Sequence, residues 1–121
     1  MSKAIHPNYL DQYFDEAATG YPEAIAIEQG ETIYNYAKVE QLANRLAHYL
    51  RIIGIAPEEK VAILLHRCAQ VPIVMLGVLK AGGAYIPLDS EIPADRVNFI
   101  MQDSGAKLLI TSDTILERIT S

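Results

Sequence analysis

The chain is poor in cysteine, tryptophan and long hydrophobic segments. Its single Cys68 cannot form a disulfide within the chain, and we interpret this residue as a small apolar side chain near a strand end. The longest apolar run, Val71 to Leu79, is nine residues long, whereas a membrane-spanning helix needs about twenty. The first seven residues contain no apolar signal core. We therefore predict a cytoplasmic protein with no membrane partner.

Positive charge is also scarce. Ten Lys and Arg residues stand against fifteen Asp and Glu residues, which gives a formal net charge of -5. The cations are scattered singly, so the sequence has no basic stripe that could neutralise the phosphates of a nucleic acid. We predict no nucleic-acid partner, and we interpret Asp15-Glu16, Glu23 and Glu58-Glu59 as solvated faces or turns.

The usual catalytic and metal-binding motifs are missing. His6, His48 and His66 lack metal-ligand spacing with one another and with Cys68, which predicts no metal site. The sequence contains neither a Gly-x-Ser-x-Gly elbow nor a glycine-rich loop leading from a strand into a helix. The residues alone therefore indicate no catalytic constellation.

Hydrophobic periodicity predicts the first elements. Apolar residues recur at helical spacing between Tyr9 and Ala18, which predicts an N-terminal helix. Two apolar runs flank Gln29-Gly30, a connection typical of a small β-hairpin. A long helix then follows, with Asn35 as its N-cap and Gly54 as its stop.

The rest of the chain alternates between strand and helix patterns. Strands are predicted at residues 61–65, 84–87 and 107–110, and helices at 69–80, 93–103 and 112–119. The first strand pattern is continuously apolar, which is typical of a parallel strand covered on both faces. With right-handed crossovers, this order predicts a three-layer α/β fold with a mostly parallel sheet (βαβαβα), preceded by the helix, the hairpin and the long helix.

Polar residues follow each of the three predicted parallel strands. In open α/β sheets, ligands lie beyond the carboxyl ends of the strands, so these residues form the one plausible polar cluster. Helix caps and turns explain several of them equally well. The cluster comprises His66, Arg67, Asp89, Ser90, Thr111 and Ser112.

The segment from Leu79 to Asp89 holds two adjacent glycines beside Lys80. A phosphate-binding loop leads from a strand into a helix, whereas these glycines follow a helix and precede a strand. We predict that one glycine closes the helix in a left-handed conformation and that Lys80 complements the helix dipole.

This segment, Leu-Lys-Ala-Gly-Gly-Ala-Tyr-Ile-Pro-Leu-Asp, resembles an early core motif of nonribosomal peptide synthetase adenylation domains, which belong to the adenylate-forming, AMP-binding superfamily. Tyr34 to Val39 resembles the first core motif of that family, and the likeness extends from about Leu10 to Thr111. The sequence departs from the family pattern at Asn35, Lys38 and Ser90-Glu91-Ile92. None of these departures falls on a residue with a chemical role.

The resemblance implies that residues 1–121 are a truncated N-terminal portion of an adenylation domain. The family activates an amino acid with ATP and magnesium to an aminoacyl adenylate, and then transfers it to the phosphopantetheine thiol of a carrier protein. The family's catalytic, nucleotide-binding and metal-binding residues lie downstream of the motifs found here. The resemblance therefore implies no catalytic, cofactor-binding or metal-binding residue, and no bound cofactor, in this segment.

The resemblance leaves three hypotheses for the isolated chain. It is a non-catalytic piece whose partner is the complementary remainder of an adenylation domain or a second copy of itself, with a carrier protein as a further possible partner. Alternatively, it is an interaction or regulatory module for a synthetase or carrier protein. The third hypothesis is a small nucleotide-binding α/β protein that uses the strand-end cluster around His66, Arg67 and Asp89.

Overall fold

The computed structural model describes residues 15–120. Residues 15–20 are helical and are labelled α1 here. The beginning of the helix predicted from Tyr9 lies outside the described residues. A β-hairpin follows, in which β1 (Ile25–Gln29) pairs with β2 (Thr32–Asn35) in antiparallel register. Its two-residue loop is Gly30-Glu31, one residue later than predicted, because Gln29 still pairs with Thr32 and Gly30 carries the positive φ of 58°.

The long helix α2 (Tyr36–Ile52) begins as predicted. The Asn35 side-chain oxygen accepts a hydrogen bond from the Lys38 amide at 2.8 Å, which satisfies one of the unpaired amides of the first turn. Apolar residues at helical spacing form a buried stripe on one face of α2. The helix is followed by Gly54, which has a φ of 98°. The buried residues of the stripe are Val39, Ala43, Ala47 and Leu50.

The second sheet has three parallel strands. They are β3 (Lys60–Leu64), β4 (Ala84–Pro87) and β5 (Leu108–Thr111), in the order β4-β3-β5. The first and third strands are each displaced by one residue from their predicted positions. Residues 61 to 64 of the central strand are all buried, which explains the continuously apolar sequence of β3.

Helices cover both faces of the parallel sheet. They are α3 (Gln70–Lys80), α4 (Ala94–Ser104) and α5 (Asp113–Thr120). Val61 and Ile63 of β3 pack with residues of α2 and α3, whereas Leu64 packs with Val97 of α4 and Ile115 of α5. The predicted three-layer α/β arrangement is thus confirmed. Among the described residues, no helix has the combination of length and apolar character that a membrane crossing requires.

The paired glycines connect α3 to β4. Gly82 has a φ of 89°, as predicted for the residue that closes the helix. Gly83 is needed for a different reason: a Cβ at this position would lie 3.0 Å from the Glu59 carbonyl oxygen. The Ala84 amide donates to that same carbonyl at 2.9 Å, so the close approach brings β4 into register beside β3.

Candidate functional site

Two loops meet at the carboxyl edge of the parallel sheet. The loop between β3 and α3 and the loop between β4 and α4 border a groove of about 520 Å³. His66 of the first loop and Glu91 of the second face each other, with His66 Nδ1 4.0 Å from Glu91 Oε2, and both side chains are largely exposed. The groove has an apolar wall and a polar rim. Its lining residues are Leu65, Arg67, Cys68, Val71, Pro72, Leu88, Asp89 and Ser90.

The loop after β4 is held by hydrogen bonds of its own and by a helix. Asp89 Oδ1 accepts a bond from the Glu91 amide at 2.9 Å, and the Asp89 carbonyl accepts one from the Ile92 amide at 3.0 Å. From α5, the Arg118 guanidinium donates to the carbonyl oxygens of Ser90 and Ile92, each at 2.7 Å. A planar guanidinium suits this paired contact. Arg118 therefore fixes the loop that forms one side of the groove.

The residues at the end of β5 form hydrogen bonds at this edge of the sheet, but they are not among the residues that line the groove. Thr111 Oγ1 donates to the Leu64 carbonyl at 2.7 Å, and Ser112 Oγ accepts a bond from the Ile115 amide at 3.2 Å as the cap of α5. Of the six residues in the predicted cluster, Arg67, Asp89 and Ser90 line the groove, and His66 lies opposite Glu91. The cap-and-turn explanation is confirmed for Asp89 and Ser112, whereas Thr111 is the last residue of β5 and bonds to the neighbouring strand β3.

The chemistry available in the groove is limited. Cys68 is half-buried, and its Sγ lies 3.6 Å from Gln70 Oε1, an amide oxygen that cannot act as a general base. The His66 imidazole lies opposite the exposed carboxylate of Glu91. Over residues 15–120, no group of three or more His, Cys, Asp or Glu side chains is arranged to hold a metal ion. Among the described residues, neither the Cys68 contact nor the His66 contact pairs a nucleophile with a general base.

A second polar cluster lies where α1, α2 and α3 meet. Lys80 Nζ is 2.8 Å from Asp15 Oδ1 and 3.0 Å from Glu40 Oε1, and the Lys80 side chain is only 8% exposed. Burial raises the pKa of Glu40 to about 7. The pKa of Asp15 is lowered, first by a hydrogen bond with Glu40 and then by one with Lys80. We name Asp15, Glu40 and Lys80 the three-helix ion cluster.

This cluster corrects two sequence interpretations. Lys80 does not act simply as a complement to the helix dipole, because its ammonium group binds two carboxylates. The cation that covers the end of α3 is Arg51, whose guanidinium donates to the Lys80 carbonyl oxygen. Asp15 is also more than a solvated residue, since it pairs with Lys80 across 65 positions of sequence. Periodicity contains no signal for contacts of this range.

The profile of the AMP-binding enzyme family matches residues 14–121. The chain belongs to this family. Gramicidin S synthase 2 of Brevibacillus brevis is 38% identical over 114 residues, covering 94% of the chain and 3% of that protein. The dimodular nonribosomal peptide synthase of Bacillus subtilis strain 168 is 42% identical over 106 residues, covering 88% of the chain and 4% of that protein.

Solved structures of AMP-binding enzymes show the same fold. The nonribosomal peptide synthetase FmoA3, bound to alpha-methyl-L-serine-AMP, matches with a TM-score of 0.86 and 26% identity, covering 92% of the chain and 13% of that structure. The inhibitor-bound N-terminal domain of FACL13 from Mycobacterium tuberculosis matches with a TM-score of 0.81 and 28% identity, covering 89% of the chain and 28% of that structure. The chain thus corresponds to an N-terminal part of an AMP-binding adenylation domain, and the resemblance noted in the sequence is confirmed.

Proposed function

We propose that this chain is the N-terminal structural segment of an amino-acid-activating ligase of the nonribosomal peptide synthetase type. The parent reaction joins an amino acid to ATP, giving an aminoacyl adenylate and pyrophosphate, and then passes the aminoacyl group to a carrier thiol. The segment supplies part of the fold and has no adenylation activity when alone. Its partner is the remainder of an adenylation domain.

The similarity to synthetases supports the class of reaction. The chain spans only 3% and 4% of the length of the two curated relatives described above, both of which are synthases by name. The FmoA3 structure holds an aminoacyl-AMP, the product expected of an amino-acid-activating enzyme. Within the chain, Asp89, Thr111 and Ser112 already bind backbone groups, so few polar side chains of the strand-end edge remain for a nucleotide.

The observation that carries the proposal is the uneven cover of the parallel sheet. Residues 61–64 of β3 are buried, whereas β4 and β5 on either side are at most half-buried. In the described part of the chain, neither outer edge pairs with a further strand. Parallel sheets are normally covered on both faces, and an open edge is a template for another strand. This sheet is therefore suited to extension by further protein.

Apolar side chains on the helices beside this sheet lead to the same inference. Phe99 of α4 is 56% exposed, and Leu116 of α5 is 44% exposed. Only one residue of each of these helices is buried, Val97 in α4 and Ile115 in α5. Phe99 and Leu116 lie on the two helices that cover one face of the open sheet, so protein that extends the sheet would bury them as well. We assign the outer face of α4 and α5 to contact with the remainder of the domain.

Complementation tests the proposal directly. An adenylation domain from the dimodular synthase, with the roughly 106-residue homologous segment deleted, would be co-expressed with this chain. We expect amino-acid-dependent exchange of labelled pyrophosphate into ATP from the pair, and none from either piece alone. Exchange by the purified chain alone would overturn the non-catalytic assignment. No association with the deleted domain would overturn the structural role.

Two variants with matched exposure locate the contact. Phe99→Asp places a charge on the proposed interface, whereas Tyr49→Asp places one on α2, where the side chain is 57% exposed. We expect Phe99→Asp to abolish complementation and Tyr49→Asp to leave it unchanged. Equal losses in both variants would contradict the assignment of the α4 and α5 face.

A further inference from the structure

The three-helix ion cluster carries an unbalanced charge. One ammonium group, Lys80, lies between two carboxyl groups, Asp15 from α1 and Glu40 from α2. With all three groups ionised, the cluster has a net charge of -1 in a place where the Lys80 and Glu40 side chains are 8% and 14% exposed. A buried excess charge destabilises the packing around it unless a proton neutralises it.

The geometry makes Glu40 the group that takes up the proton. Glu40 Oε2 accepts a hydrogen bond from Lys80 Nζ at 3.1 Å. Glu40 Oε1 is buried and, although close to Nζ, accepts no hydrogen bond from the described residues. Asp15 is 55% exposed and remains in contact with water. Water stabilises the charge on Asp15, whereas burial removes water from Glu40, so among the described residues its ionised form depends on the Lys80 ammonium that it shares with Asp15.

The two carboxyl groups are close enough to influence each other. Both oxygens contact the same Nζ, so they lie within about 6 Å of each other, a range in which like charges disfavour ionisation. A protonated Glu40 can donate to Asp15, which converts repulsion between the two groups into a hydrogen bond. The raised pKa of Glu40, about 7, and the lowered pKa of Asp15 agree with this distribution of the proton.

We propose that the three-helix ion cluster is a proton-operated latch, which holds α1 against α2 and α3 when Glu40 is protonated and loosens α1 when Glu40 ionises. Within the described residues, α1 is the most weakly anchored of the three helices and is therefore the element that moves. Of residues 15–20, only Ala17 and Ala18 are even half-buried. The core of α2 and α3, in contrast, includes fully buried side chains such as Val39 and Leu76.

Charged and titratable groups of the same three helices lie close to the latch in the described part of the chain. From α2, Arg51 binds the Lys80 carbonyl oxygen, so its positive charge lies at the end of α3. Tyr36 lies one helical turn before Glu40, and Glu16 is an exposed neighbour of Asp15 on α1. Of these charged groups, the Lys80 ammonium contacts both Glu40 and Asp15, whereas Arg51 contacts the Lys80 backbone carbonyl. A change in the ionisation of Glu40 therefore changes the net charge of the three-helix ion cluster directly.

Hydrogen exchange of the backbone amides of α1 tests the latch in the full chain. Exchange rates at pH 6 and pH 8 would be divided by the intrinsic rate at each pH, so that only opening of the structure remains. We expect protection of residues 15–20 to fall about fivefold from pH 6 to pH 8, the change that follows if opening of α1 lowers the pKa of Glu40 by one unit from about 7. The midpoint should coincide with the titration of Glu40, followed by ¹³C NMR of its carboxyl carbon.

Two substitutions distinguish the latch from a general effect of pH. Glu40→Gln cannot ionise but keeps groups that bond to Lys80 and Asp15, so protection at pH 8 should match the wild-type value at pH 6. Glu16→Gln removes an adjacent exposed carboxylate and should keep the full pH dependence. Equal protection at both pH values in the wild type would overturn the proposal. So would a Glu40→Gln chain that is still pH-dependent, or a Glu16→Gln chain that is not.

Discussion

Gly77 of α3 lies close against Leu46 of α2, and replacing it with alanine tests how tightly these helices pack. A Cβ at position 77 would lie 2.7 Å from Leu46 Cδ2, 2.9 Å from Cγ and 3.0 Å from Cβ. Rotation of the Leu46 side chain can move Cδ2 away, but Leu46 Cβ is fixed to the backbone of α2. The two helices must therefore separate slightly, or the leucine must leave its rotamer.

Two opposing effects determine the sign of the change. Alanine stabilises a helix interior by about 1 kcal/mol relative to glycine. Overpacking of a closely packed core costs about 1–3 kcal/mol. Because one of the three short contacts involves a backbone-fixed atom, we expect the steric effect to be larger. Gly77→Ala should then lower the free energy of unfolding by about 1 kcal/mol overall.

Urea denaturation followed by circular dichroism at 222 nm measures this change. Leu46→Ala removes two of the three close atoms, so the double variant should be more stable than the two single effects predict, by about 1 kcal/mol. Gly20→Ala is the control, because a Cβ added to this helical glycine would meet no atom within 4 Å. If Gly77→Ala raised the unfolding free energy by the full propensity gain, the close contact between α2 and α3 would be refuted.

Three further predictions concern the helix ends and the ion cluster. Asn35→Ala removes the acceptor for the Lys38 amide and should cost about 1 kcal/mol in urea denaturation, whereas Asn35→Asp should retain most of the stability. Gly82→Ala forces a Cβ onto a residue with a φ of 89° and should cost about 1 kcal/mol or more, measured as a lower thermal midpoint. The pKa of Glu40 is raised from 4.5 to about 7 in the folded chain. Protonation of Glu40 therefore stabilises the folded chain at low pH, and this stabilisation is lost as pH rises through about 7. Glu40→Gln should flatten the resulting decline in the free energy of unfolding between about pH 5 and 7.

Most elements of the fold could be predicted from local patterns. The continuous apolar run of β3 predicted a strand covered on both faces, and Asn35 and Gly54 marked the two ends of α2. In the described residues, the bounds of two strands, the hairpin loop and several helix ends differ by a single residue from those predicted. A strand of four or five residues has little periodicity, so its ends depend on hydrogen-bond register, which is set by the neighbouring strand.

The strand-end cluster could be predicted in position but not in detail. Topology alone brings the ends of parallel strands to one edge, so the meeting of the Arg67 loop with the Asp89 loop followed from element order. Which side chains remain available there depends on local hydrogen bonds. The sequence contains no signal that Arg118 fixes this loop, because the two carbonyl oxygens that it binds lie 26 and 28 positions away.

Backbone geometry and packing explain several residues of the segment whose likeness indicated the family. Gly82 is required by a positive φ, and Gly83 by the carbonyl of Glu59 that a side chain would touch. Lys80 holds two carboxyl groups where three helices meet. These three demands fall within four consecutive positions because the chain turns there from a buried helix into a strand of the central sheet. Such a motif is specific to the family because the fold requires it. The resemblance could therefore indicate the family although no catalytic motif was found in the sequence.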